Sequence, residues 1–525
     1  MDPFAPPGPR PDRDSNRRHG RCAAHLRSLT LIHRKPPFTN TTMPESDTTK
    51  SQPFKVLIAG GSIAGLGLAL TLERAGIDYE LFEKGQFAAQ LGASIGFFPH
   101  CLRILDQLGV WSDMERVITP IIYRNHYSET GRCFEESVAQ VELWERLGRP
   151  VMFMERCKVL EILHNHVADK SKLHENNGIL GYEETEKGVI VTTQDGATHH
   201  GSILVGADGV HSCVREMMAQ KTGDATLAKQ LLEGFTSRFN CVFGVSKNNA
   251  FLPDGTVHNT YNHGHSGIVA AGVPGLAFWF FFIKAAKETR MPNCPRFTDE
   301  DAEAIMREYG SAQAGPGYTF HDLWEARVKA SMAALEEGVL KKWSHGRAVL
   351  IGDAVHKATI NAGMGGNIVY EGIAHLTNTL ISLLKSNPTP TTANLTAAFD
   401  QYHTLHSPRA NLVVTLSGKI TRSEAQDNWF YKFFAQRINP LVSDHTKANL
   451  FVLYANGAPW LEYLPLPAVD ARLLTNKVAE LEEAGKGSVL GALVRFTAVA
   501  VAGAVVWHRY GPGIQNLAGN IRMPW

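Results

Sequence analysis

Cysteine is scarce in this chain: seven residues in 525, none in a C-x-x-C pair and none beside paired histidines. That excludes a zinc ribbon and a disulfide framework, leaves no metal site to expect, and suits a reducing compartment. An excess of either charge is also missing. Lys and Arg number 52 against 51 Asp and Glu, so no basic surplus exists to meet a phosphate backbone, no stretch reads as a nucleic-acid module, and nucleic acid is not an expected partner. No G-x-S-x-G elbow offers a serine nucleophile. Residues 1–52 lack apolar periodicity and the apolar centre of a signal peptide, and their Pro, Arg, Ser and Thr content predicts a disordered leader. Asp2, Asp12 and Asp14 weigh against a transit peptide, and a start at Met43 would leave a short ordinary leader.

What is present is apolar material for a large core, 44% of the chain, in a length that predicts two interleaved domains with tails. The stretch "FKVLIAG" from Phe54 reads as a strand, "GSIAGLGLALTLERAGI" as the turn and helix after it, and "YELFEKG" as a second strand leading to Glu83. An acidic residue about twenty positions beyond the first glycine of such a βαβ unit suits a pyrophosphate on the helix N-terminus and a ribose on the carboxylate. Gly60, Ser62 and Gly65 are the candidate loop residues. Ser62 stands where the glycine fingerprint has its second glycine and brings a hydroxyl that can meet a phosphate. A simple tight turn is the other reading of this motif taken alone.

Two further segments narrow the choice. "ILVGADGVHSCVR" (Ile203 to Arg215) places Asp208 and Gly209 after a buried-strand run, and "RAVLIGDAVHKATINAGMGGN" (Arg347 to Asn367) stops an apolar run on Gly352 and Asp353 before a glycine-rich turn. These three motifs, in this order, resemble those of the class A flavoprotein monooxygenases, the aromatic-hydroxylase-like group that binds FAD. The resemblance implies that Asp353 accepts a hydrogen bond from the ribityl chain and that Gly363, Gly365 and Gly366 open a helix aimed at the flavin ring. The positive end of that helix would stabilise charge on the reduced ring. It also implies that Arg156, in "FMERCKVLEIL", sits over the FAD, that Gly92 and Gly96 lie in a loop beneath the flavin, and that Glu83 and Asp208 complete the cofactor site. Ile360 replaces the family's proline, Met364 its glutamine, and Gly372 the aspartate after Glu371, which predicts a differently shaped flavin-side turn.

Between the second and third motifs, "CVFGVS", "TVHNTYNHGHSGIVAAGV" and "GLAFWFFFIK" alternate or run apolar with β-formers, as antiparallel strands of a substrate domain would. With the late "APWLEYLPLP", these details are similar to the fungal FAD-dependent epoxidases of indole-diterpene, meroterpenoid and polyene pathways. That likeness implies a mechanism in which NADPH reduces FAD, O2 adds to give a C4a-hydroperoxyflavin, and the distal oxygen passes to an olefin of a lipophilic substrate. The aromatic run Phe278 to Phe282 would keep the site dry, or form a core strand. Tyr261 is the candidate polar catalytic residue, with Asn259, His263 and His265 as competitors.

The tail carries the chain's one long apolar run, Ser488 to Trp507, interrupted only by Arg495 and about the length of a bilayer span. A small-residue helix packed on the protein is the other reading. The expected fold is therefore α/β: a Rossmann-like FAD-binding domain of aromatic-hydroxylase type, interleaved with an antiparallel-sheet substrate domain and followed by a C-terminal helical segment with a transmembrane helix. The expected boundaries are a leader over 1–52, FAD-binding parts over 53–235 and 341–425, a substrate domain over 236–340, and a C-terminal region over 426–525 with its membrane helix at 488–507. The enzyme would then be membrane-associated, with its catalytic domain in the cytosol at the endoplasmic reticulum and with a lipophilic substrate and O2 as its small-molecule partners. Aromatic-ring hydroxylation on the same fold, or a membrane-tethered flavin-binding protein without turnover, are the alternative functions. A flavin halogenase would carry W-x-W-x-I-P, which is absent.

Overall fold

The computed structural model describes residues 53–471 and 473, apart from 90, 91 and 93. Val56, Leu57 and Ile58 of the strand Lys55–Ala59 are all fully buried. Consecutive burial of this kind is what a central strand of a parallel sheet requires, and it explains the unbroken apolar run. The sheet has six strands, in the order Ser344–His345, Ala348–Leu350, Ile203–Gly206, Lys55–Ala59, Asp78–Phe82, Leu173–His174. All neighbours are parallel except the first pair. Val56 pairs with Ile203 on one side and Tyr79 on the other, so strands distant in sequence meet at the centre. The helix Ile63–Ala75 and the helix Gly365–Ser386 share one apolar core with this sheet.

A second sheet has eight strands, in the order His356–Lys357, Arg327–Val339, Thr236–Lys247, Leu276–Arg290, His265–Val273, Thr256–Tyr261, Tyr123–Tyr127, Cys133–Ser137. It is antiparallel except where Thr256–Tyr261 meets Tyr123–Tyr127. Two of its strands thus come from 123–137, inside the stretch expected to hold the first FAD-binding part. Period-two alternation divides the aromatic strand between two faces. Trp279 and Phe281 pack with Phe320 and Trp324, while Phe280 and Phe282 pack with Val257 and Ile268 on the opposite face.

The C-terminal part contains the helix Thr392–Glu424, which starts from a capping box at Thr391 and Asn394, and the helix Asp444–Asn456. The expected fold is corrected on one point. The transmembrane helix is not part of it, because no helix among the described residues is long and apolar enough to cross a membrane; the run 488–507, on which that helix and the membrane association were placed, lies outside the described residues, as does the leader 1–52.

Candidate functional site

The first strand ends at Gly60, whose φ of 101° belongs to glycine's range. A Cβ there would stand 2.6 Å from the Ala207 carbonyl oxygen, and one on Gly65 would stand 1.8 Å from that of Gly60. The loop can therefore close over the helix start only with glycine at both places. No side chain caps the helix Ile63–Ala75 and no acidic residue occupies its first turn, which leaves its N-terminal N–H groups and positive dipole end to an anion. Glu83 follows the strand Asp78–Phe82 and closes the loop. Its Oε2 accepts from the Gly61 N–H at 2.6 Å and its Oε1 from the Gly85 N–H at 3.0 Å. Ser62 Oγ accepts from Arg156 Nη2 at 2.6 Å, an ordering that its spacing in the fingerprint did not suggest.

Arg215 ties the other two motifs together. Its Nη1 donates to the Ala354 carbonyl at 2.9 Å and its Nη2 to that of Val210. Asp208 Oδ2 accepts from the Val214 N–H at 3.0 Å and from the Cys213 thiol at 3.1 Å, whereas Oδ1 is buried without a hydrogen-bond partner among the described residues. Asp353 pairs with Lys357. Gly352 lies against the first helix, where a Cβ would stand 3.3 Å from that of Ala64. Burial lowers the Arg156 pKa, opposed by the charges of Asp353, Cys157 and Glu83, so the structure brings residues of the first and third motifs around this guanidinium.

The turn expected on the flavin side runs through Ile360–Ala362 to Gly363, at φ 67°, and into the helix Gly365–Ser386, which also has no side-chain cap. A Cβ on Gly365 would meet nothing within 4 Å, while one on Gly366 would stand 2.6 Å from Ile95 Cδ1. Asn367 fastens this turn to the strand Ser94–Phe97. Its Oδ1 accepts from the Phe98 N–H at 2.9 Å, and its Nδ2 donates to the carbonyls of Gly96 and Gly363 at 3.1 and 3.0 Å. Gly92 and Gly96 each face a protein neighbour, Arg156 and Phe153, with Cβ positions 3.1 and 3.0 Å from the nearest side-chain atom. The departures at 364 and 372 have local causes: Met364 is buried with Ile368 and Val413, and a Cβ at Gly372 would stand 2.9 Å from His406 Nε2.

An unpartnered oxygen on Asp208, two uncapped helix N-termini and open space over Gly365 fit a dinucleotide with an anionic bridge and a planar ring. The residues present therefore fit FAD.

Tyr261 is not gathered with these residues. Its hydroxyl lies 3.0 Å from His126 Nδ1, its ring packs edge-on to Phe134, and burial pushes the phenol well above its ordinary pKa. Burial likewise holds His126 well below the usual imidazole value, so both groups are neutral near pH 7. Of its competitors, Asn259 lies between Arg124 and Glu424, and His263 lies 3.3 Å from the Gln426 carbonyl. Among the described residues Glu80, His174 and His199 stand close enough to share an ion, although Lys55 already supplies a counter-charge to Glu80. Sequence reasoning did not single out the roles of Asn367, Arg215, Asn361 or Glu424. Asn367 alone left a signal, as an amide in the first turn after a glycine run.

The sequence profile of the FAD binding domain family matches residues 53–417. The chain is 36% identical over 417 residues to the FAD-dependent monooxygenase janM of Penicillium janthinellum, covering 79% of this chain and 86% of that one. It is 37% identical over 418 residues to the FAD-dependent monooxygenase ptmM of Penicillium ochrochloron, covering 78% and 99%. Among solved structures, Klebsiella pneumoniae HpxO complexed with FAD and uric acid aligns with a TM-score of 0.64 at 19% identity, over 77% of this chain and 97% of that one. The 2,6-dihydroxypyridine-3-hydroxylase from Arthrobacter nicotinovorans aligns with a TM-score of 0.58 at 16% identity, over 75% and 96%. At such identities these two structures establish a shared fold.

Proposed function

Because this chain belongs to the class A FAD-dependent monooxygenases, we propose that it transfers one oxygen atom of O2 to an olefin of a lipophilic isoprenoid, meroterpenoid or polyene, with NAD(P)H as electron donor. Substrate, O2, NAD(P)H and a proton give epoxide, NAD(P)+ and water. The observation that carries this reading is apolar: Phe98 and Ile360, partly buried beside the flavin-side turn, pack on the core cluster that contains Phe280 and Phe282. Apolar side chains bordering the turn would favour a hydrocarbon over a polar substrate and help to keep water out. An olefin is itself the electron-rich partner and needs no base to activate it. Bound FAD would supply reduction by NAD(P)H and the activation of O2.

The chain's own residues would bind and orient. Gly60, Ser62 and Gly65 with their helix N-terminus would hold the pyrophosphate, Glu83 the ribose, and Asp353 the ribityl chain. Asp208 and Arg156 would complete the cradle, with Gly363 and Gly366 shaping the turn at the ring, Gly96 the strand below and Gly92 the approach to it. Tyr261, kept neutral by burial, would orient a polar group of the substrate. The test is turnover of isoprenoid olefins and of phenols with NADPH and isotopically labelled O2. Olefin products bearing one labelled oxygen that open to diols in acid are expected. Labelled catechols from phenols, with olefins inert, would make the enzyme an aromatic hydroxylase.

A further inference from the structure

Glu424 ends the helix Thr392–Glu424, and its carboxylate is buried between the substrate sheet and the flavin-side turn. Its Oε1 accepts from Asn259 Nδ2 at 2.9 Å, and its Oε2 accepts from Asn361 Nδ2 at 2.5 Å. Asn259 lies on the strand that carries Tyr261, and Asn361 lies two residues before Gly363. One carboxylate thus joins the two halves of the site.

The hydrogen-bond polarity of the cluster is fixed on one side and reversible on the other. Arg124 Nε donates to Asn259 Oδ1 at 2.9 Å, and because a guanidinium can only donate, the Asn259 amide must present its NH2 to Glu424. On the other side, Asn361 Oδ1 lies 2.7 Å from the Thr421 hydroxyl, which can donate or accept. That hydroxyl also lies 2.8 Å from Thr359 Oγ1. A proton placed on Oε2 would therefore turn the Asn361 amide over, while the link to Asn259 stayed as it is.

We propose that Glu424 is a positioning residue whose ionisation sets the direction of the hydrogen bond to Asn361, and through it the seating of the turn 360–366 against bound FAD. This rests on the reading that the turn faces the flavin. The groups facing the carboxylate are few. Among the described residues these are Arg124 of the strand Tyr123–Tyr127, Asn259 and Tyr261 of the strand Thr256–Tyr261, and Asn361 of the turn. The nearby charges of Arg422 and Asp427 are taken up by Glu337 and Lys284. Burial outweighs Arg124 and the two amides and raises the carboxyl to about 7, so the switch would operate in the neutral range. Two residues after Asn361, the Gly363 carbonyl accepts from Asn367, which also holds the strand Ser94–Phe97.

The experiment follows the visible spectrum and the dissociation constant of bound FAD across neutral pH, in wild-type protein, Glu424→Gln and Asn361→Ala. Wild type should pass through one transition near pH 7, with a change of roughly fivefold or more in the FAD dissociation constant. Both variants should bind FAD and lose the transition; should Glu424→Gln not fold, Asn361→Ala decides. Wild type that binds FAD without the transition, or a folded variant that retains it, overturns the proposal and leaves the cofactor site intact. Wild type that takes up no FAD overturns the reading of the site and the switch with it.

Discussion

Two glycines of the proposed cofactor site predict opposite outcomes for the same substitution. Gly65→Ala would push a Cβ to 1.8 Å from a main-chain oxygen, which cannot swing away as a side chain would. Loss of several kcal/mol and poor recovery of folded protein are expected. Gly365→Ala meets nothing within 4 Å and replaces a helical glycine, so the thermal midpoint should hold or rise, by up to about 1 kcal/mol of stability. If FAD occupies that space, its affinity should fall in the same variant. Thermal melts read alongside flavin absorbance separate the two effects. Asp353→Ala should lose most bound FAD, because it removes a hydrogen-bonding carboxylate and leaves Lys357 without its counter-charge. Wild-type flavin occupancy in that variant would remove Asp353 from the site.

Asn367 acts on the scale of elements, since one side chain holds the helix Gly365–Ser386 to the strand Ser94–Phe97. Asn367→Ala would leave the Phe98 N–H and the Gly96 carbonyl without this partner, at about 1–3 kcal/mol. Part of the loss should appear as weaker FAD binding measured by ultrafiltration; a thermal shift with unchanged affinity would make Asn367 structural only. The elements themselves were largely legible in the sequence. Gly60, Ser62 and Glu83 belong to one βαβ unit whose geometry is local, and the run Phe278 to Phe282 divides between two faces by period alone. What joins distant segments was not legible. Arg215 reaching Ala354 and Glu424 reaching Asn259 and Asn361 leave no trace in local spacing, because the sheets create those neighbours. The apolar content of 488–507 suggests a bilayer span, but length and hydropathy alone do not distinguish a lipid-facing helix from one packed on protein; no described helix is long and apolar enough to cross a membrane, and 488–507 lie outside the described residues.

At the scale of the whole molecule, two buried carboxylates pull pH stability in opposite directions. Burial alone would raise the Glu371 pKa, but His100 and Arg409 outweigh it and hold the group well below the usual carboxylate range. Its stabilisation is therefore present above the unfolded value of about 4.5 and lost as acid protonates it. Glu424 behaves inversely. Its folded value is raised to about 7, so its contribution is full below the unfolded value and fades as pH rises to about 7, by about 3 kcal/mol at 1.36 kcal/mol per pKa unit. Thermal midpoints of wild-type protein should peak in mild acid. Glu424→Gln should flatten the decline toward neutrality, and an unchanged decline would assign it to other groups. Glu371→Gln should destabilise at every pH above the acid range, by about 3–5 kcal/mol, because Arg409 is left buried with its charge unmatched.

The six-stranded sheet also bears on how the polypeptide is made. Its strands at 55–59 and 203–206 are complete early, yet their outer neighbour, Ala348–Leu350, and the glycine turn after it emerge only when some two thirds of the chain has been synthesised. At about 5–20 residues per second, translation from the end of Ile203–Gly206 to that strand takes roughly 7 to 30 seconds. Throughout that interval the apolar edge of Ile203–Gly206 stays open on the nascent chain. The proposed cofactor cradle can close only afterwards, so chaperone engagement of ribosome-bound chains should fall once the segment beyond residue 367 has left the exit tunnel.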